Sequence, residues 1–195
     1  FDECWLDVTG SIHLFGSGKE IADELRRIIK EEIGVTISVG VSYNKIFAKM
    51  GSDYKKPDAT TEITPENFKE LLYPLPIGDL FMVGRKTAEK LRSIGIRKIG
   101  DLEEFDEKIL YRILGENGRV LWQYANGYDY SPVLRFDYRE AYKSIGNGAT
   151  FKRDLMNFGD VRTCVFFLCD KVAARLRKHN YECSALQVGI KDTNF

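Results

Sequence analysis

The sequence predicts an α+β chain of consecutive units, and three observations carry that prediction. Residues 1–76 alternate strand and helix patterns. Residues 77–127 hold only short amphipathic helices broken by glycines. Residues 142–195 return to strand, helix, strand.

The first ten residues, FDECWLDVTG, set the adjacent carboxylates Asp2 and Glu3 before the alternating run Trp5, Leu6, Asp7, Val8, which predicts a strand with two acids at its mouth. Acids are poor strand formers and neighbouring like charges repel, so the pair suits a divalent cation held between them; a solvated strand end is the plain alternative. SGKEIADELRRIIKEEIG predicts a helix capped by Ser17, with Glu20 closing a capping box and Gly34 ending it. VTISVGVS predicts a half-buried strand over Val35–Val41, and Ser42 is expected to cap a helix running through Met50. TEITPENFKELLYPL adds a short strand and helix, closed by Pro74 and Pro76.

Within the glycine-broken stretch, LFMVGRKTAEKLRSIGIRKIGDL has the shape of a helix-hairpin-helix turning at Val83-Gly84. Such a hairpin aims backbone N–H groups and the positive end of a helix at a phosphate, with Arg85, Lys86 and Lys90 adding charge. A purely structural helical corner fits the same residues. Residues 131–141 are predicted as a linker, followed by a strand in YKSIGNGATF, a helix around Val161–Lys178 and a strand in SALQVGI. Gly146, Asn147, Gly148 and Thr150 offer exposed backbone amides to a phosphate chain, although a bulged edge strand accounts for them equally.

Charge is balanced overall, with 29 basic and 29 acidic residues, so it argues neither for nor against a polyanionic partner. Basic residues nevertheless bunch at Lys45–Lys56, Arg85–Lys98 and Lys171–Lys178, and acids at Asp101–Glu107. No apolar run is long enough to span a bilayer and no signal-peptide pattern is present, so no membrane partner and a cytoplasmic location are expected. Cys4, Cys164, Cys169 and Cys183 lack zinc-type spacing and are expected as buried, reduced thiols. His13 and His179 stand apart from any acid or serine constellation.

Taken together, FDECWLDVTG, GVSYNKIFAKMGSDYKKPD, LPIGDLFMVGRKTAEKLRSIGI and KSIGNGATFKRDL resemble, in this order, segments of the DinB/UmuC-type Y-family translesion DNA polymerases. The resemblance implies part of a ferredoxin-like palm over 1–76, an all-α helix-hairpin-helix thumb over 77–130, a linker over 131–141 and the first part of an α/β little finger over 142–195. It implies template-directed nucleotidyl transfer in DNA damage tolerance, on primer-template DNA with deoxynucleoside triphosphates and two magnesium ions, and a sliding clamp as a further partner.

By the same resemblance Asp2 would bridge both metals, Glu3 would hold the metal beside the primer 3′-hydroxyl, and Lys56 would steady the triphosphate. Gly84, Arg85, Lys86 and Lys90, with Gly146, Asn147, Gly148 and Thr150, would hold DNA. The family's first catalytic aspartate, sugar-gating aromatic and fingers lie upstream of the residue matched by Asp2, so these 195 residues by themselves are expected to be inactive and either to self-associate through open sheet edges or to rearrange locally to cover them. Two other readings stand beside this one. The first is a non-catalytic relative that docks DNA through the hairpin; the second, disfavoured by the hairpin and SIGNGATF, is another palm enzyme such as a nucleotide cyclase.

Overall fold

The computed structural model describes residues 3–138 and 141–191. Asp2, part of the linker and the last four residues lie outside them. The chain divides into two compact units, Phe1–Arg135 and Phe136–Phe195. The fold is α+β.

The first unit opens with an irregular segment over residues 3–8, a 3-10 turn at Thr9–Ser11 and the short helix α1 at Ile12–Phe15. The strand expected at Trp5–Val8 does not form, because alternation supplies a face but no partner for the backbone groups, and no described segment pairs with it. Trp5 is held by its side chain instead. Its indole N–H donates to the Lys45 carbonyl at 2.9 Å, and its ring meets Phe81 edge-on at 6.4 Å.

Helix α2 spans Gly18–Ile28 and continues as a π turn, Ile29–Ile33. Ser17 and Glu20 form the expected capping box, and Gly34 ends the segment in the left-handed conformation. The next strand, β1, is only Val39–Ser42, shorter than the alternation predicted. It runs parallel to β2, Thr60–Ile63, in the register Val39 opposite Thr60 to Ser42 opposite Ile63. Residues 35–38 have no pairing partner among the described residues, and Val35 is exposed.

Between the strands lies α3, Lys45–Tyr54. Its cap is Asn44, not Ser42. The Asn44 Oδ1 accepts from the Phe47 N–H at 2.8 Å while its Nδ2 donates to the Gly127 carbonyl at 3.0 Å. Ser42 stays in β1, where its hydroxyl donates to Ile63 O. Gly40 and Gly51 let β1 and α3 approach backbone to backbone; a Cβ on Gly40 would overlap the Ala48 carbonyl.

Helix α4, Phe68–Leu72, a 3-10 turn at Ile77–Asp79, α5 at Arg85–Ser93, a 3-10 turn at Ile99–Leu102, α6 at Glu107–Leu114 and α7 at Glu116–Ala125 complete this unit. One hydrophobic cluster runs from Ile46 and Phe47 of α3 through Leu72, Ile77 and Leu91 to Leu121. The sheet-bearing and helical segments therefore share a core.

The second unit contains α8, Phe158–Lys178, close to the expected helix. The strands expected in YKSIGNGATF and SALQVGI do not form among the described residues, again because each run lacks a described partner. The cysteines are free but not buried as expected. Cys4 and Cys183 are exposed, and Cys164 and Cys169 are half-buried on a helix without a buried face.

Candidate catalytic edge and nucleic-acid interface

At the N-terminal end, Glu3 is exposed and its Oε1 accepts from Lys49 Nζ at 2.7 Å. Lys49 also pairs with Asp53 Oδ2 at 2.8 Å, and Asp53 Oδ1 pairs with Lys56 Nζ at 2.7 Å. The result is an alternating ladder Glu3–Lys49–Asp53–Lys56, with Lys49 and Asp53 on α3, Glu3 on the N-terminal segment and Lys56 just past the end of the helix. It joins the expected metal carboxylate to the expected phosphate lysine. Burial works against the Lys49 charge, but hydrogen bonds and the charges of Asp53 and Glu3 outweigh it and hold the ammonium above the ordinary lysine value. Burial likewise opposes the Asp53 charge, and Lys49 and Lys56 overcome it, so that carboxyl sits below the usual carboxylate value.

An exposed carboxylate oxygen is the hard donor that magnesium takes, so Glu3 suits that ion in chemistry. Among the described residues no cluster of three or more His, Cys, Asp or Glu side chains surrounds it. Asp2 lies outside the described residues.

The hairpin is a four-residue turn, Leu80 to Val83, closed by the Val83 N–H to Leu80 O at 3.0 Å. Met82, third in the turn, has φ +72°, the left-handed region a glycine would occupy at no steric cost. Leu80 and Val83 are buried and Met82 is exposed. Gly84 then precedes α5 with no side-chain cap, and a Cβ on it would meet open space, so no side chain satisfies the first N–H groups of α5.

Arg85 is exposed and reaches along α5 to Glu89 at 3.0 Å, and Lys86 is exposed. Lys90 differs. Its Nζ donates to the Ile113 carbonyl at 2.6 Å, tying α5 to the end of α6 rather than facing a ligand. In the second unit, Arg175 of α8 donates to Gly146 O at 2.7 Å and to Asn147 Oδ1 at 3.2 Å, which anchors the glycine segment. Gly148 and Thr150 are exposed beside it.

The residues missed by sequence reasoning are Lys49 and Asp53 in their bridging role. The steps of four residues from Lys49 to Asp53 and three from Asp53 to Lys56 were the available signal.

Residues 1–53 match the impB/mucB/samB family, residues 65–96 its HHH motif and residues 142–195 its C-terminal domain. The chain belongs to the impB/mucB/samB family. DNA polymerase IV of Acetivibrio thermocellus is a family relative 52% identical over 191 residues, which are 98% of this chain and 48% of that protein. A Y-family DNA polymerase chimera of Dbh and Dpo4 is similar in structure with a TM-score of 0.73 at 26% identity, covering 87% of this chain and 49% of that one. An insertion ternary complex of Dbh DNA polymerase gives 0.59 at 32% identity, over 66% of this chain and 38% of that one. The chain spans about half the length of the curated family relatives it matches.

Proposed function

We propose that this chain contributes the carboxylate edge and the duplex-holding elements of a translesion DNA polymerase. The supporting observation is the ladder itself: it joins a carboxylate for a metal and a cation for a phosphate in one bonded series through Lys49 and Asp53 of α3. In this reading residues 1–76 belong to the palm, 77–130 to the thumb, 131–141 to the linker and 142–195 to the little finger.

Primer-template DNA and deoxynucleoside triphosphates are the proposed partners. Magnesium, when bound, supplies charge neutralisation at the transferring phosphoryl group and acidifies the primer hydroxyl. The chain's own residues do the rest. Asp2 and Glu3 offer oxygen donors, Lys56 meets the triphosphate oxygens, and the open start of α5 with Arg85 and Lys86 takes one backbone phosphate. Gly146, Asn147, Gly148 and Thr150, which follow the linker in sequence, are proposed to touch the duplex as well. A sliding clamp is proposed on family resemblance and a cytoplasmic location on the sequence pattern; no described helix is long and apolar enough to cross a membrane. Self-association of the isolated chain through the open edge of β1 is a further proposal, checked by sedimentation.

The deciding experiment is primer extension by the full-length protein. Glu3→Gln is expected to lower kcat by about 100-fold or more, and Lys56→Ala to raise KM for the nucleotide with a smaller loss in kcat. Duplex binding retained with no primer extension by the unmutated full-length protein would instead favour a DNA-docking protein without catalysis.

A further inference from the structure

We infer that Lys49 is a positioning residue for Glu3 and competes with a divalent cation for its carboxylate, an inference that rests on the polymerase reading above. Burial decides which partner holds the other. The Lys49 side chain is 17% exposed and that of Glu3 62%. Lys49 is fixed twice, by its place on α3 and by Asp53 at 2.8 Å. Glu3 belongs to an irregular segment whose neighbouring tie is the Trp5 indole on the Lys45 carbonyl.

A free glutamate on such a segment samples several rotamers, and fixing one of them takes a partner that is itself immobile. Lys49 is that partner. Its ammonium also lies 2.7 Å from Glu3 Oε1, against the lone pairs a metal would use. A cation arriving at Glu3 therefore meets a carboxylate already placed but partly neutralised. Positioning favours turnover, whereas the competing charge weakens metal binding, so removing Lys49 moves these two quantities in opposite directions. General damage to α3 would move both the same way.

The test measures manganese binding to the full-length protein, without DNA or nucleotide, from the electron paramagnetic resonance signal of free Mn²⁺, beside primer-extension kinetics. Lys49→Met keeps the buried stem and removes the charge. It is expected to tighten manganese binding about threefold to fivefold, the range a part-exposed ion pair supplies, while kcat falls roughly tenfold and the nucleotide KM changes little. Lys49→Arg, which keeps the charge, is expected to recover most of the kcat loss and to bind manganese as the unmutated protein does.

In a Glu3→Gln background the tightening is expected to vanish, because the competed carboxylate is gone. Asp53→Asn, which unanchors Lys49 without removing it, gives a second reading if Lys49→Met melts too low to assay: kcat falls with no tightening. Unchanged or weaker manganese binding in a folded Lys49→Met, or full kcat in a folded Asp53→Asn, would overturn the inference. Glu3→Gln that leaves both turnover and manganese binding intact would instead remove the polymerase reading on which it rests.

Discussion

Phe47 and Phe166 are the same residue type on helices of one chain, yet Phe47 is fully buried and Phe166 is 63% exposed. Helix α3 packs between a parallel strand pair and the helical segments, with Asn44 joining its start to Gly127. Helix α8 has all the local signals of a good helix. Asn157 caps it by accepting from the Asp160 N–H, Asp160 lies in its first turn, and Arg175, Arg177 and Lys178 lie in its last. None of its residues is buried. Capping and the helix dipole are enough to specify where a helix starts and stops. Burial needs partners distant in sequence, and only the first unit supplies them among the described residues.

Phe47→Ala puts that contrast to its strongest test and is expected to destabilise the first unit by about 3–5 kcal/mol. Urea unfolding followed by tryptophan fluorescence measures it, because both tryptophans, Trp5 and Trp122, lie in that unit. Phe166→Ala is expected to change α8 by under about 0.5 kcal/mol in melting followed by circular dichroism; equal losses would break the comparison. Glycines sharpen it next. Gly40→Ala pushes a methyl into the Ala48 carbonyl and is expected to cost about 3 kcal/mol, the upper end for overpacking. Gly148→Ala enters open space and is expected to be neutral within about 0.5 kcal/mol.

The proposed DNA binding divides the first unit internally. Arg85→Ala and Lys86→Ala should each lower the salt slope of duplex binding by about one, uniformly across sequences. Lys90→Ala should leave the slope unchanged and act on stability, since its ammonium is committed to Ile113 O. Fluorescence anisotropy at several salt concentrations separates the two.

The smallest expected effect is acid sensitivity. Hydrogen bonds from Lys19 and Thr60 hold the Asp23 carboxyl below the usual value of 3.8, and hydrogen bonds from Lys30 and Arg26 do the same for Asp58. With folded values below the unfolded one, their contribution is fully present above 3.8 and is lost as the pH falls through the lowered values. The urea midpoint of the first unit should decline over that interval, and Asp58→Asn should flatten the decline.

The boundary between what was legible and what was not follows the range of the interactions. Ser17, Glu20 and Gly34 were readable because each acts within one turn of the end of α2 or of its π continuation. Asn44 was misread in favour of Ser42 because both are good caps, and the choice rests on Gly127, 83 residues away. Alternation at Trp5–Val8 and in SALQVGI describes a face without naming a partner, so a strand reading there exceeded its warrant. At the candidate site, the residue types and the hairpin were legible. The hand-off from Glu3 through Lys49 was not, since it joins residues 46 positions apart.

Met82 has a consequence for cooperativity. A side chain held at φ +72° carries a backbone cost of roughly 1–2 kcal/mol, and the buried Leu80 and Val83 on either side are what impose it. The turn thus keeps its shape only while the core around it is assembled. A glycine-based hairpin could persist in a loosened chain and still grip a phosphate; this one relaxes as soon as its flanks let go. Under the proposed function, loss of DNA binding and loss of the core should therefore occur in one transition, with no partly unfolded state that retains its hold on the duplex.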